Sequence, residues 1–457
     1  MNDIDYILKT ARRIHFIGIG GAGMCPLAEI LHAKGYNLTG SDNNESDTLA
    51  RIRSLGIPVT LGHKRENVEG ADMIVHTAAL LPDNPELVAA RELGIPVFER
   101  SKLFGAVSRH YPNCVGICGT HGKTTTTSMT VQILLMAGLD PSAVIGGKLP
   151  LSGTNGIVGK SDCLVCEACE FKDTFLDLTV NAAVILNIDK DHMEYFKTLD
   201  NLKKSFRTFA ENAGTAVIYN GDDANTLDAV AGLNKPVMLS FGTSAGCDYR
   251  AENITMHGGA FPEYDLFFGN KKLGHVVLNV PGEHTVSDSL AAIACAIFCG
   301  ASPEQCIQAL LQFRGAGRRF EMLGTYRGIT IADDYAHHPK ELEVTLNAAK
   351  AMGYNRVWAV FQPFTFSRTY MLLEDFRSVL RIADRVVMSE IMGSREINTC
   401  GVTTQDIADG VPGSVWFKTF EEIADYIVEN ASDGDIVITL GCGDIYKAAK
   451  LMIKKLS

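Results

Sequence analysis

The chain has 457 residues, of which 46% are hydrophobic and 21% charged, as in globular proteins with sizeable cores. This length exceeds one ordinary domain and predicts two or three. The formal net charge of −11, without a Lys/Arg-rich block, argues against nucleic acid or an acidic membrane surface as partners. No signal-peptide layout and no apolar run of roughly 18 residues stands out, so we expect a cytoplasmic protein.

Strand-like apolar runs alternate with helix-like stretches along most of the chain. Examples are IHFIGIG from Ile14, NCVGICG from Asn113, AAVILNI from Ala182 and DIVITLGCG from Asp435. Such alternation predicts mainly parallel sheets flanked by helices. The fold class is therefore α/β.

The first glycine-rich loop follows the strand that begins at Ile14. Its sequence, Gly18-Ile-Gly20-Gly21-Ala-Gly23, lets the backbone approach a pyrophosphate, and the next helix offers free N–H groups. Asp42 closes the following strand, where a carboxylate can accept hydrogen bonds from ribose hydroxyls. Taken alone, this pattern favours an NAD-binding site. The alternative is a glycine-rich turn that is needed only for packing.

A second glycine loop lies in GICGTHGKTTTTS, residues 116–128. The ordinary P-loop has Gly, four residues and then Gly-Lys-Ser/Thr, so Gly116 stands one place too early. Measured from Gly119, a shorter loop reaches Gly122-Lys123-Thr124 and enters a helix. The helix N–H groups, the lysine ammonium and the threonine hydroxyl suit nucleotide phosphates and Mg²⁺. A merely capped helix is the alternative.

Acidic residues and a histidine end two strands expected beside this loop. Glu167 and Glu170 end CLVCEACE, while Asp189, Asp191 and His192 end AAVILNIDKDH. Mg²⁺ bound to phosphate prefers oxygen ligands and keeps several waters. These residues are therefore candidate metal ligands, although His192 could instead be an ordinary polar loop residue.

Cysteines in the same stretch imitate the start of an iron–sulfur run. Cys163, Cys166 and Cys169 have the spacing, but the fourth position at the ferredoxin offset is Asp173. A spacing of three alternates faces in a strand. We therefore expect buried structural thiols, among twelve scattered cysteines that suit a reducing compartment.

Three α/β domains follow from two breaks in the pattern. One break falls near Ser108–Pro112 and the other at FRGAGRRFE, residues 313–321. The predicted domains are residues 1–107, 108–316 and 317–457. Within the central domain, turn-rich residues 240–282 predict an antiparallel insertion.

Several of these motifs together resemble the Mur ligase family of peptidoglycan synthesis, over essentially the whole chain. They are GTHGKTTT, CEACE, NIDKDHMEYF, FRGAGRRFE, DDYAHHPKE and QPFTFSRT. The resemblance implies a Rossmann-like N-terminal domain for a UDP-sugar, a central P-loop ATPase-type domain, and a Rossmann-like C-terminal domain for the amino acid. It implies that ATP and Mg²⁺ drive amide formation between UDP-N-acetylmuramate and L-alanine through an acyl phosphate, and that the enzyme is a monomer or weak homodimer.

The resemblance also implies roles for individual residues. The catalytic set is Lys123, His192, Glu167 and His338. The ATP-binding set is Gly119, Thr120, His121, Gly122, Lys123, Thr124, Thr125, His284, Asp288, Arg318 and Asp334. The substrate-binding set is Gly18, Gly20, Gly21, Gly23, Ser41, Asp42, His338 and Arg368. The Mg²⁺ ligands are Thr124, Glu167 and His192.

Some positions depart from the family pattern. Thr285 and Asp288 replace the asparagines of the common HN…N adenine motif, and Phe364 replaces the histidine of QPH. No lysine after His192 clearly matches the carbamylated lysine of sister ligases. A surface salt bridge is the alternative role for Arg368.

Two other functions stay open at this stage. A recycling ligase of the same superfamily attaches a preformed tripeptide to the same sugar nucleotide, and only its amine substrate differs. An NAD-dependent oxidoreductase would use Gly18 to Asp42 and leave the lysine-containing loop without a role.

Overall fold

The computed structural model describes residues 4–78, 80–394 and 396–457. Strands and helices alternate along most of this length and form three sheets. The predicted α/β class with three mainly parallel, helix-flanked sheets is confirmed.

The first sheet is entirely parallel. Its strands are β1 (Arg13–Ile17), β2 (Asn37–Asp42), β3 (Val59–Leu61), β4 (Met73–His76) and β5 (Val97–Glu99). The helices are α1 (Ile4–Thr10), α2 (Cys25–Ala33), α3 (Asp47–Ser54), α4 (Pro85–Glu92) and α5 (Arg100–Ser108). The order β3-β2-β1-β4-β5 reverses at β1, which is where doubly wound sheets bind ligands.

The second sheet has ten strands. They are β6 (Asn113–Cys118), β7 (Ser142–Leu149), β8 (Thr154–Ile157), β9 (Cys163–Glu167), β10 (Ala182–Ile185), β11 (Ala216–Asn220), β12 (Val237–Gly242), β13 (Tyr249–His257), β14 (Phe261–Phe268) and β15 (Lys271–Val277). Its helices are α6 (Lys123–Met136), α7 (Met193–Phe196), α8 (Leu199–Asn212), α9 (Ala224–Val230), α10 (His284–Phe298) and α11 (Pro303–Gln312).

The order of this sheet is β15-β14-β13-β12-β11-β10-β6-β9-β7-β8. Its strands from β12 to β7 pair in parallel, and β8 is antiparallel to β7. The expected insertion is present as β13, β14 and β15, which follow one another at one edge. Because β6 lies between β10 and β9, the loop after β6 is flanked by the ends of both neighbours.

The third sheet has six strands. They are β16 (Glu321–Tyr326), β17 (Ile329–Asp334), β18 (Val357–Phe361), β19 (Arg385–Ser389), β20 (Val415–Phe417) and β21 (Ile436–Leu440). Its helices are α12 (Pro339–Ala351), α13 (Phe366–Met371), α14 (Leu373–Leu380), α15 (Thr404–Asp409), α16 (Phe420–Asn430) and α17 (Tyr446–Leu456). The order is β16-β17-β21-β18-β19-β20, with only β16 antiparallel to its neighbour.

The central strands are buried on both faces because helices cover both sides of each sheet. Every residue of β10, β18 and β21 is buried, and their sequences AAVI, VWAVF and IVITL are continuous apolar runs apart from one threonine. Such runs are typical of parallel strands. This explains why apolar runs in the sequence were sufficient to locate these strands.

The chain divides into two compact units. The first comprises Met1–Glu252, Asp265–Val276 and Val286–Leu310, and the second comprises Asn253–Tyr264, Val277–Thr285 and Leu311–Ser457. The first unit holds the five-stranded sheet and most of the ten-stranded sheet, and the second holds the six-stranded sheet. Among the helices described, none is both long enough and apolar enough to cross a bilayer.

Candidate active site

The first glycine loop is held by the ends of β1 and β2. Gly18 has φ of 79°, a left-handed conformation that favours glycine, and its N–H donates to the carbonyl of Ser41 at 2.8 Å. The Gly20 N–H donates to Asp42 Oδ2 at 3.0 Å. A methyl group on Gly20 would lie 2.9 Å from Leu49 Cδ2. Asp42 therefore shapes the loop as well as being available to a ligand.

A cation approaches this loop from another helix. Arg100 begins α5, and a methyl group on Gly23 would lie 2.7 Å from its guanidinium nitrogen Nη1. Arg100 also lines a small cavity together with Glu167 and Cys169. Sequence reasoning missed Arg100; a basic residue directly after the short strand β5 was its only signal.

The second glycine loop depends on two positive φ angles. Gly119 has φ of 147° and Gly122 has φ of 83°. A methyl group on Gly122 would collide with Asp288 Oδ1, which also accepts a hydrogen bond from Thr126 Oγ1 at 3.3 Å. Gly122 is the N-cap of α6 and has no side chain to cap the helix, and the N–H groups at a helix start are suited to an anion.

The Lys123 ammonium lies over its own loop. Its Nζ donates to the carbonyls of Gly119 and Thr120, the latter at 3.2 Å, and pairs with Glu170 Oε1 at 3.1 Å. Glu170 is buried, with 1% of its surface exposed. Burial works against the charge of Lys123, but Glu170 outweighs it and raises the pKa of Lys123 above its ordinary value. Lys123 is thus kept cationic beside the cradle.

Two oxygen donors lie together at the start of α6. Thr124 Oγ1 donates to Glu167 Oε2 at 3.2 Å, and the Gly146 N–H donates to Glu167 Oε1 at 2.5 Å. Hydroxyl and carboxylate oxygens are ligands that suit Mg²⁺. Among the described residues, no cluster of three or more His, Cys, Asp or Glu side chains forms a metal site. A phosphate-bound Mg²⁺ does not require one, because phosphates and waters complete its shell.

The loop is locked to the chain that follows β10. The His121 N–H donates to Asn187 Oδ1 at 2.9 Å, and Asn187 Nδ2 donates to the His121 carbonyl at 3.1 Å. Thr120 Oγ1 accepts from the Asp189 N–H at 2.9 Å. Thr125 is half-buried on α6. The loop therefore has a fixed shape before any ligand binds.

His192 lies at the N-terminus of α7 in a left-handed conformation, with φ of 53°. Its Nε2 lies 3.6 Å from Asp191 Oδ2, and its Nδ1 lies 3.5 Å from Glu194 Oε1. The ring also contacts Phe171, with centroids 4.6 Å apart. The metal role of His192 stays a prediction.

The cysteine prediction is partly confirmed. Cys163 and Cys166 are buried in β9, while Cys169 beyond the strand is exposed. The pKa of Cys163 is raised by hydrogen bonding to Cys299, and that of Cys114 by hydrogen bonding to Cys166. The two thiols of β9 therefore face different neighbours, as opposite faces of a strand require.

In the second unit, Arg318 organises a polar cluster. It has φ of 61°, and its Nε donates to Asp333 Oδ2 at 2.9 Å. The two terminal nitrogens donate to the carbonyls of Gly443 at 3.1 Å and Gly441 at 2.6 Å. Because these contacts occupy most of its donors, Arg318 is rigidly held at the carboxyl end of β21.

Asp334 is a buried carboxylate at the end of β17. Its two oxygens accept from the N–H groups of Phe320 and Ala336, each at 2.7 Å. Burial raises its pKa to about 6, although Arg319 opposes the shift. Its immediate role is to tie the loop before β16 to the end of β17.

His338 and Arg368 lie at the starts of two helices of the second unit. His338 is the N-cap of α12 and forms a capping box with Glu341. Arg368 is half-buried in α13. Burial opposes the charge of nearby Glu396, but hydrogen bonds from Ser367, with a smaller contribution from the charge of Arg368, hold the pKa of Glu396 below its ordinary value. His284, also of this unit, begins α10, and a methyl group on Gly282 would collide with its ring.

Three family models match this chain. They are the Mur ligase family catalytic domain at residues 13–112, the Mur ligase middle domain at 117–296, and the Mur ligase glutamate ligase domain at 318–443. The chain belongs to the Mur ligase family. The resemblance drawn from GTHGKTTT and the later motifs is confirmed.

Curated relatives of this Mur ligase match over nearly its full length. The UDP-N-acetylmuramate–L-alanine ligase of Caldanaerobacter subterraneus subsp. tengcongensis is 40% identical and covers 98% of each chain. That of Agathobacter rectalis is 41% identical and covers 97% of this chain and 98% of its own.

Solved structures give the same result for the fold. The UDP-N-acetylmuramate-alanine ligase of Thermotoga maritima has a TM-score of 0.83 at 27% identity and covers 97% of this chain and 98% of its own. A murein peptide ligase of Psychrobacter arcticus, at 22% identity and a TM-score of 0.75 with the same coverage, supports the fold alone.

Proposed function

We propose that this Mur ligase joins L-alanine to the lactyl carboxylate of UDP-N-acetylmuramate and consumes ATP. The carboxylate attacks the γ-phosphorus, which gives an acyl phosphate and releases ADP. The amine of L-alanine then attacks the acyl carbonyl, loses a proton, and expels inorganic phosphate. The product, UDP-N-acetylmuramoyl-L-alanine, is a precursor for peptidoglycan synthesis.

One observation carries the reaction class: Lys123 is held as a half-buried cation by the buried carboxylate of Glu170 at the start of α6. Phosphoryl transfer depends mainly on positioning and on neutralising charge at the phosphate oxygens. The relatives named above support the choice of substrates.

Oxygen donors beside this loop fit Mg²⁺. We assign Thr124 and Glu167 to the ion, with His192 as the predicted third ligand. When bound, the ion neutralises charge on the β- and γ-phosphates. The Thr124 hydroxyl and the Glu167 carboxylate, which are hydrogen-bonded to each other, would be the protein oxygens that hold the ion.

The other site residues keep their predicted roles. The first glycine loop with Ser41 and Asp42 is assigned to the UDP-sugar. Arg318 and Asp334 are assigned to ATP, and His338 with Arg368 to L-alanine, whose carboxylate suits a guanidinium. The domain limits 1–107, 108–316 and 317–457, the cytoplasmic location, and the monomer or weak homodimer are proposed on the same basis.

Phosphate release from ATP tests the function. The purified protein is incubated with Mg²⁺-ATP and UDP-N-acetylmuramate, and L-alanine, glycine, L-serine or the L-alanyl-containing tripeptide is added in turn. We expect phosphate release that depends on both the sugar nucleotide and L-alanine, with the product confirmed by mass.

The alternatives give different outcomes in the same assay. Release with the tripeptide in preference to L-alanine would identify the recycling ligase. No amine-dependent phosphate with any of the four would refute the ligase proposal. In a separate incubation with NAD in place of ATP, reduction of NAD by the sugar nucleotide would instead identify an oxidoreductase.

A further inference from the structure

A buried carboxylate lies behind the first glycine loop, and the loop motif does not include it. Glu86 is the second residue of α4 and is fully buried, with 0% of its surface exposed. A buried ionised carboxylate is costly unless it is well hydrogen-bonded. Its partners therefore show what it stabilises.

Those partners come from the end of β2 and from the loop after β3. Ser41 Oγ donates to Glu86 Oε2 at 2.7 Å, and His63 Nδ1 lies 3.2 Å from the same oxygen. Asn67 Nδ2 donates to Glu86 Oε1. His15 lies further off, with Nε2 3.8 Å from Oε2.

The Glu86 carboxylate is stable in its ionised form. Burial would raise the pKa of Glu86, but interactions with His15, Asn67 and Ser41 hold it below the usual range. Its place in the first turn of α4 also favours a negative charge, because the N-terminus of a helix is electropositive. Glu86 therefore acts only as an acceptor near neutral pH.

These hydrogen bonds determine the tautomer of His63. Glu86 has no proton to give, and the Ser41 hydroxyl hydrogen already points to Glu86. His63 Nδ1 lies 3.1 Å from Ser41 Oγ as well, so only a protonated Nδ1 satisfies both neighbours. In the neutral ring, Nε2 is then an acceptor, and a tenth of the side chain is exposed.

The position of His63 suits contact with a nucleoside. It lies just beyond β3, which pairs in parallel with β2 so that Asp42 lies opposite Leu61, and the Gly62 N–H donates to the Asp42 carbonyl at 2.8 Å. In doubly wound sheets, the phosphates lie on the loop after β1 and the ribose near the end of β2. The next strand end outward therefore lies beside the nucleoside.

We propose that Glu86 is a positioning residue of the nucleotide-sugar site: it orients Ser41 and fixes His63 with Nε2 as a hydrogen-bond acceptor for a uridine donor group. The proposal rests on the proposed function for the identity of the nucleotide. Glu86 acts through His63 and Ser41 and does not itself touch the ligand.

Calorimetric titration with UDP, and separately with ADP, tests this role. Glu86→Gln keeps the size of the side chain, but its amide nitrogen cannot accept the hydrogen bonds of Ser41 and His63. We expect UDP to bind about tenfold more weakly and ADP within twofold of wild type. Glu92→Gln, at the exposed end of the same helix and paired with Arg65, is the matched control and should leave both affinities unchanged.

A double-mutant cycle separates positioning from a merely structural effect. His63→Ala, in a surface loop, should weaken UDP binding about as much as Glu86→Gln. Because the two residues act on the same ligand contact, the double variant should bind UDP less weakly than the product of the two single losses predicts. Multiplicative losses, equal weakening of UDP and ADP, or unchanged UDP affinity would each overturn the proposal. If Glu86→Gln does not fold, unchanged UDP affinity in His63→Ala still overturns it, and weakened binding supports it.

This test is independent of catalysis. Wild-type protein that binds UDP but releases no amine-dependent phosphate would refute the proposed function. Wild-type protein that catalyses the reaction, with no effect of Glu86→Gln on UDP, would refute only the positioning role.

Discussion

The two glycine loops of the first unit differ in where their charged partners come from. In the first, a carboxylate of the next strand, Asp42, accepts from the Gly20 N–H, and the nearby cation, Arg100, comes from a separate helix. In the second, the loop carries its own cation, Lys123, and a buried carboxylate, Glu170, neutralises it. A ligand that is only bound needs a shaped cradle, whereas a phosphoryl group in transfer also needs a cation already fixed where its charge develops.

The largest expected effect comes from removing the cation of the second loop. Lys123→Ala should lower kcat by about 10³-fold, because the transferring phosphoryl group loses its positive partner. Affinity for UDP-N-acetylmuramate should stay within about twofold, since the ammonium contacts the second loop and not the first. Lys160→Ala, an exposed lysine of the same unit, is the control. Loss of UDP-sugar binding in Lys123→Ala would show that the loops share one ligand.

Removing the partner of that cation should have a smaller effect. Glu170→Gln should lower kcat on the order of 10²-fold, because breaking a buried ion pair leaves Lys123 uncompensated. Glu211→Gln, whose carboxylate is half exposed on α8, should behave as wild type. Activity of Glu170→Gln equal to that of this control would mean that Glu170 does not position Lys123.

The same variant makes a prediction about pH. Glu170 raises the pKa of Lys123, so the ion pair stabilises the fold fully below the ordinary lysine pKa and is lost as pH rises through the raised value. Without Glu170, burial of Lys123 loses the main interaction that opposes it, so the pKa of Lys123 should fall. The alkaline limb of the kcat profile should therefore move to lower pH in Glu170→Gln, and an unchanged limb would contradict this assignment.

The cation beside the first loop should affect binding more than rate. Arg100→Met should raise the KM for UDP-N-acetylmuramate about tenfold, because a guanidinium next to Gly23 suits the charges of a sugar nucleotide. The kcat and the KM for ATP should change little. Arg91→Met, on the exposed end of α4, serves as the control. A fall in kcat without a change in KM would place Arg100 in the chemical step instead.

Local sequence patterns predicted the strands, the two loops and Glu167, because each depends on residues close together in the chain. The residues that contact these loops from elsewhere in the chain were harder to predict. The sequence offers Glu170 only as a candidate metal ligand, since its contact with Lys123 requires β9 to lie beside β6 and the chain to turn directly after β9. The link from Ser41 to Glu86 spans 45 positions, and no local period indicates it. The hairpin of β7 and β8 was also missed, because its glycines weaken the strand pattern.

The central claim is that the two loops hold two different nucleotides at once. Calorimetric titration of UDP-N-acetylmuramate into the protein, with and without a saturating non-hydrolysable ATP analogue and Mg²⁺, tests it most directly. We predict one equivalent bound in both titrations, with affinity unchanged or increased by the analogue. Displacement of the sugar nucleotide in proportion to the analogue would contradict the claim, because it would mean that both ligands compete for a single phosphate site.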